Sequence, residues 1–324
     1  MVLLLRKSVI AIKHETTAGT AISLANADAV FNAYNVVMTP EITYDERDGQ
    51  GACFGQLPAV PGAQAGTVTF QTSMAWDGTA TEPSWADILL PACGFTKSTN
   101  VYKPKTEVPL GTTSAVKTLT IGHYHDGRLF KLRGCVGNAV FNIPTGRRAY
   151  VDWTFRGAWE PVTDSALLDP TYPGAGVGNP DTLNLEMPLR AASGTTTFDG
   201  KALSCEAVTI DLGNEIVLRE DITTDAGYLH GVIVDRKIKI TANPEAKLVA
   251  TRDAYGDWTS RLTGVLSVSM LAQDLKTLTF SCPKAQMLAV KPGNRNKLIT
   301  DDLEFVALRN DQTEDEVMSI TFST

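Results

Sequence analysis

Histidine is scarce in this chain, with four in 324 residues (His14, His123, His125 and His230), and that scarcity leaves little room for acid–base or metal chemistry. His123 and His125 share one strand face in a His-Tyr-His segment, but the only third ligand nearby in sequence is Asp126, which a turn requires. The five cysteines (Cys53, Cys93, Cys135, Cys205 and Cys282) are odd in number, dispersed and without CxxC spacing. That argues against a zinc site or a disulfide framework and reads as small buried hydrophobes. Long apolar runs are missing as well. No stretch approaches the roughly 20 residues of a membrane helix. Val2-Leu3-Leu4-Leu5, followed by Arg6-Lys7, is too short and wrongly flanked for a secretion signal, so folding in a cytoplasm is expected. Basic excess is lacking too: the net charge is −7, the first 165 residues balance, and the whole deficit falls in 166–324. A duplex-DNA reader needs cations to neutralise phosphates, so that function is disfavoured, although a surface past which DNA slides is not.

Enzyme signatures are equally thin. There is no Gly-x-Ser-x-Gly elbow, and Gly174-Ala175-Gly176-Val177-Gly178 follows Pro173, lacks a following Lys-Ser/Thr and opens no helix. Asp301-Asp302 and Glu314-Asp315-Glu316 read as exposed turns rather than glycosidase carboxylates. Tyr150, Trp153, Phe155 and Trp159 could form a sugar-stacking platform, but Trp153 and Phe155 share a strand face and read as core.

What the chain does have is many short β-branched runs separated by turn residues, with 43% hydrophobic and 20% charged residues, the balance of a soluble, mostly-β protein. Strands are expected at 8–13, 31–44, 67–74, 117–124, 129–134, 136–143 and 149–155, with loops at 16–29 and 45–65. Alternation on both sides of Asp126-Gly127 marks a hairpin, and 144–148 marks the next turn. Ser84 and Asp87 suggest a capped helix whose face is Trp85, Ile88, Leu89 and Ala92; Gly94 stops it, and Pro91 is an awkward occupant of the last turn.

The second half repeats this order. Laying Ile42 on Ile216 brings Val36 onto Ile210, Met38 onto Leu212 and Glu41 onto Glu215. A strand pair at 203–218, a loop at 219–231, a returning strand at 232–241, a helix near 252–262 and strands at 264–271, 276–282, 285–290, 298–308 and 317–322 follow. The Pro/Gly-rich stretch between the halves reads as a linker. The expected organisation is therefore a first domain at 1–160, a linker at 161–182 and a second domain at 183–324.

These residues resemble the siphophage major tail tube protein family over nearly the whole chain. Ile12-Lys13-His14-Glu15-Thr16-Thr17-Ala18-Gly19-Thr20 is similar to the family's opening, and 85–95 to its helix and helix exit, with Pro91 as a departure. Asp126-Gly127 through Gly134, Ala139-Val140-Phe141-Asn142-Ile143, Trp153-Thr154-Phe155-Arg156-Gly157 and Thr209-Ile210-Asp211-Leu212-Gly213-Asn214 resemble its later strands. The resemblance implies two tandem tail-tube-like β-sandwich/barrel domains, each with one flanking α-helix, whose sheets join those of neighbours into an inner barrel. Rings of this kind have six tube-fold positions, filled by a trimer of pseudo-sixfold symmetry, or by a hexamer if one half only decorates the outside.

The implied function is structural: the tail tube of a long-tailed, non-contractile virion, assembled in the host cytoplasm, with no cofactor, no metal and no catalysis. The implied partners are the chain itself within and between rings, the tape measure protein, and the tail terminator and distal tail proteins, with phage DNA passing unbound through the lumen and no membrane involved. Asp45, Glu46, Arg47, Asp48, Arg219, Glu220 and Asp221 are the expected inter-ring or inter-subunit residues, and Glu41 and Glu215 the expected lumen carboxylates. A two-domain β-sandwich carbohydrate-binding adhesin is the alternative, and a hydrolase a weaker one.

Overall fold

The structure is a computed structural model, and it describes residues 3–4, 6–29, 32–47, 49, 56–76, 83–105, 117–169, 189–190, 194–271, 276–310 and 316–323. Phe31, Asp48, Cys53, the glycine run at 174–178, Glu314, Asp315 and the expected linker from residue 170 onward lie outside the described residues. The chain is mostly β, as its alternating pattern requires. Sixteen strands form one hydrogen-bonded sheet system and two more form a separate hairpin.

The first half contributes β1 (Ser8–His14), β2 (Ala33–Arg47), β3 (Leu57–Ser73), β4 (Phe95–Ser98), β5 (Val101–Pro104), β6 (Leu119–His125), β7 (Arg128–Pro144) and β8 (Tyr150–Asp164). The second contributes β9 (Thr195–Phe198), β10 (Lys201–Ala202), β11 (Cys205–Asp211), β12 (Asn214–Glu220), β13 (Tyr228–Arg236), β14 (Lys239–Pro244), β15 (Thr263–Leu271), β16 (Thr277–Arg295), β17 (Leu298–Ala307) and β18 (Ser319–Ser323). Antiparallel neighbours run β1-β6-β7-β8-β3-β2 in the first half. They run β9-β15-β16-β17-β14-β11 in the second. The same order of connection therefore occurs twice, with β4-β5 an insertion of the first half.

Two pairings tie the halves together. β11 pairs with the end of β7, from Ala207 opposite Pro144 to Asp211 opposite Val140. β18 pairs with both β16 and β5. The inward faces merge into one core, because alternate residues of every strand turn to the same side. Phe70 stacks on Phe155, Phe155 on Trp153, and Phe141 meets Phe280 of the other half at 5.0 Å. Phe322 of β18 is ringed by Trp76, Trp85 and Tyr102 of the first half. Trp153 is buried, with Nε1 donating to Thr72 Oγ1 at 2.8 Å, which satisfies its polar atom inside the core.

The expected helix forms as a π-turn at Trp85–Leu89 followed by a single α-turn, α1 (Leu90–Ala92). Ser84 is already helical and makes no side-chain cap, so the expected capping box is absent. Pro91 has no N–H to give the Asp87 carbonyl, and His14 Nε2 lies 3.4 Å from that oxygen instead. In the second half α2 is shorter than expected, Ala254–Thr259. Asp253 caps it by accepting from Gly256 N at 2.8 Å, and Arg252 stays outside the helix.

Several expected loops are strands. Most of 45–65 belongs to a long β2–β3 hairpin, in register from Tyr44 opposite Pro61 to Arg47 opposite Leu57. Its prolines mislead because β3 has no second partner before Ala65, and an edge strand tolerates a missing donor. β8 likewise runs to Asp164, past the expected start of the linker at 161, because Thr163 and Asp164 pair with Leu129 and Arg128. The 219–231 loop narrows to a turn between Glu220 and Tyr228. The single strand expected at 232–241 is two: β13 pairs with β12, whereas β14 pairs with β11 and β17. The chain leaves the main sheet at Gly213, whose φ of +60° no β-branched residue adopts comfortably and where a Cβ would collide with the Lys237 carbonyl. The strands expected at 276–282 and 285–290 are one, β16, which bulges between Cys282 and Ala285 against β15 and at Leu288 against β17.

The His123–His125 pair, considered above as metal ligands, stacks with ring centroids 5.5 Å apart, and the described residues hold no group of three possible ligands. Burial first, and the neighbouring His125 second, lower the His123 pKa to about 4. The unfolded chain therefore binds a proton that the folded chain refuses between pH 6.5 and 4, and stability falls as pH falls through that window. A shift of this size corresponds to about 3 kcal/mol. His123→Phe is expected to flatten the decline of melting temperature over that range. An unchanged pH profile would rule His123 out as the group responsible.

Candidate assembly edges and the open sheet face

One face of the main sheet is core; the other is open. Register places Thr67, Thr69 and Gln71 of β3 opposite Arg156, Thr154 and Asp152 of β8. These continue into Asn138, Val140 and Asn142 of β7, then Asp211 and Thr209 of β11. Lys239 and Thr241 of β14 follow, then Glu304 of β17 opposite Ala289, and Lys291 opposite Asp302. Small hydroxyl and amide side chains dominate, and they bond to one another: Asn142 Nδ2 donates to Asp152 at 2.7 Å and Asn138 Nδ2 to Asp211 at 2.9 Å. The carboxylates Glu41, Asp152, Asp211, Asp302 and Glu304 outnumber the cations Arg156, Lys239 and Lys291 on this face.

Glu41 lies on it, beside Thr67 and Arg156. Its Oε1 accepts from Thr67 Oγ1 at 2.6 Å and its Oε2 pairs with Arg156 Nη2 at 2.8 Å. The Thr67 hydroxyl first, then Arg156, holds its carboxyl below the usual carboxylate range. Glu215 does not join it. It lies in β12 of the separate hairpin, opposite Asp235, so the sequence repeat that equates Glu41 with Glu215 does not bring them to one face.

Asp45, Glu46 and Arg47 lie exposed at the end of β2, as do Arg219 and Glu220 at the end of β12, and the half-buried Asp221 opens the β12–β13 turn. Arg219 Nη1 stands 3.1 Å from His230 Nε2. The Asp221 carboxylate accepts from Thr223 N and Oγ1, which lowers its pKa. These two groups of residues sit at the ends of two separate hairpins.

Several strand edges are without a partner strand among the described residues, those of β2 and of the end of β16 among them. β2 pairs with β3 on one side and with no strand on the other. β16 pairs with β15 only as far as Gln286, so its remaining length, from Met287 to Arg295, has β17 alone. An exposed edge of this length is a template for another chain.

Sequence reasoning passed over the residue that organises this region. Glu15, noticed only as part of the opening segment, accepts from Gly19 N at 2.7 Å, Thr118 Oγ1 at 2.6 Å, Thr120 Oγ1 at 2.9 Å and Gly134 N at 2.7 Å. The one available signal was an acidic residue ending an apolar strand next to a Thr/Gly loop. Arg236 was missed as well: its Nη2 donates to the Cys93 and Gly94 carbonyls at 3.1 and 3.2 Å, closing the C-terminal end of the first half's helix from the second half. The aromatic platform does not exist, since Trp153 and Phe155 are buried.

Polar open face, buried aromatics and unpaired edges together define a mostly-β protein whose sheet can be extended at its edges. The profile of the phage tail tube protein family matches residues 6–307, and the chain belongs to that family. Among curated proteins, none matches it. A tail tube protein is a structural component of the virion tail that self-assembles there.

Proposed function

We propose that this chain is the major tail tube subunit of a long-tailed, non-contractile phage and that it polymerises into stacked rings through which DNA is ejected. Each half acts as one tail-tube domain, so three chains fill six positions with pseudo-sixfold symmetry. The observation that carries this is the β7–β11 pairing inside the chain. By the repeated strand order, β7 corresponds to β16 and β11 to β2, and β2 and the end of β16 each have an open edge. Antiparallel pairing of β2 of one chain with the Met287–Arg295 stretch of the next would repeat the internal joint and remove both edges. A repeated heterologous interface of this kind gives a ring where its rotation closes.

The open polar face then lines the lumen, and its slight carboxylate excess repels the DNA backbone rather than holding it. The tape measure protein during assembly, and the tail terminator and distal tail proteins at the ends, are the remaining partners, with assembly in the host cytoplasm. Mass photometry and electron microscopy of the purified chain are expected to give trimeric rings with a central channel. Hexameric rings would make one half a decoration, and a chain that stays monomeric when concentrated with tail initiation proteins would overturn the tube.

A further inference from the structure

The internal joint has a second part that the β-pairing alone does not explain. Past Gly213 the second half's hairpin leaves the main sheet and lies across the first half. Gly231 abuts Val136 and the Arg156 carbonyl, and Arg133 Nη1 donates to the Leu229 carbonyl at 3.4 Å. Asn214 Nδ2 donates to the Cys93 and Gly137 carbonyls at 3.0 and 2.8 Å, and the Arg236 guanidinium lies 5.7 Å over the Phe95 ring. The tip of this hairpin reaches the root of the β2–β3 hairpin, where Gln64 N donates to the Ala226 carbonyl at 2.8 Å. Val136, against which Gly231 packs, is fully buried, as are Leu89 and Leu90 of the first half's helix.

The corresponding arm of the first half is the distal β2–β3 hairpin, and it has no such seat among the described residues of its own chain. Every residue from 39 to 47 and from 56 to 62 is exposed, Ile42, Tyr44, Leu57 and Val60 among them. The corresponding seat on the second half is also uncovered. α2 lies against β16, and Tyr255 and Trp258 of α2 and Leu288 at the β16 bulge are exposed where the first half's counterparts are buried. Arg261 at the exit of α2 and Lys284 before the bulge are exposed cations, opposite in charge to Asp45 and Glu46 of the arm.

We propose that the β2–β3 arm is a lateral clasp: it lies across α2 and the β16 bulge of the next copy of this chain in the same ring. This rests on the ring reading above and makes Asp45, Glu46 and Arg47 contacts within a ring rather than between stacked rings. On the arm and on the seat alike, exposed apolar side chains lie beside charged ones, as in a specific protein interface.

The test places the photo-crosslinker p-benzoylphenylalanine at Tyr44 or at Val60 and irradiates single rings separated from tubes. Adducts to 254–262 and 284–291 of a second copy are expected. A companion double variant, Tyr44→Asp with Val60→Asp, touches no buried residue. It should keep the wild-type far-ultraviolet spectrum while weakening ring formation about a hundredfold. Adducts that form only in stacked tubes, or that map elsewhere, would overturn the clasp and leave the ring intact. Failure of the unmodified chain to form rings would instead remove the ring reading, before any variant is made.

Discussion

Replacing Glu15 by alanine is expected to lower the melting temperature by about 10 °C, among the largest single-residue effects in this protein. The carboxylate accepts from two backbone N–H groups and two threonine hydroxyls drawn from the 16–29 loop, β6 and β7. Its removal leaves four donors without an acceptor in a partly buried site. The cost of orphaned donors, rather than the lost bonds themselves, brings the total to about 4 kcal/mol. Glu15→Gln keeps an amide oxygen but turns an N–H₂ toward other donors, so it should lose roughly half as much. Thermal unfolding of both variants checks this, and a shift within experimental error for Glu15→Ala would remove Glu15 as the organising group. The site also bears on assembly. Gly134 N is held by Glu15, and Gly134 is where the β12–β13 hairpin crosses closely, against His230.

Breaking the Arg252–Asp301 pair from one side is expected to cost about 3–5 kcal/mol, and replacing both partners much less. Arg252 and Asp301 are both buried, with Nη2 donating to Asp301 Oδ2 at 3.0 Å and to the Glu245 carbonyl at 2.7 Å. Arg252→Leu leaves a carboxylate in an apolar setting with its cation gone. Two of the guanidinium nitrogens, Nε and Nη1, find no partner among the described residues, so the intact pair does not recover all of its desolvation cost. The double variant Arg252→Leu with Asp301→Leu should therefore regain most of the loss. If the double variant unfolds as readily as the single one, the pair is net stabilising and the desolvation argument fails here.

Much of the first half was readable because its strands carry strict alternation. β3 turns Val68 and Phe70 inward and Thr67, Thr69 and Gln71 outward, and Asp126-Gly127 supplies the two positive φ values that its tight turn needs. The distal β2–β3 arm was not readable. It is exposed on both faces, so alternation gives it no signal, and its prolines and glycines look like loop residues although an edge strand accepts them. Glu41 and Glu215 fall on different sheets for a related reason. Glu41 follows the alternation of its sheet, whereas Glu215 lies beyond Gly213, where the chain changes sheets.

By itself the sequence determined the mostly-β class, the recurrence of one order of elements in both halves, and the residues that face the core. All of these are local: they follow from period-two alternation, turn chemistry and side-chain size along one strand. Which strands become neighbours was decided only in the tertiary structure. The pairing of β11 with β7, the departure of β12–β13 over the other half, and the open edges of β2 and β16 depend on groups far apart in the chain. Backbone hydrogen bonds are the same for every residue, so a strand's pattern specifies which face it buries but not whose edge it meets.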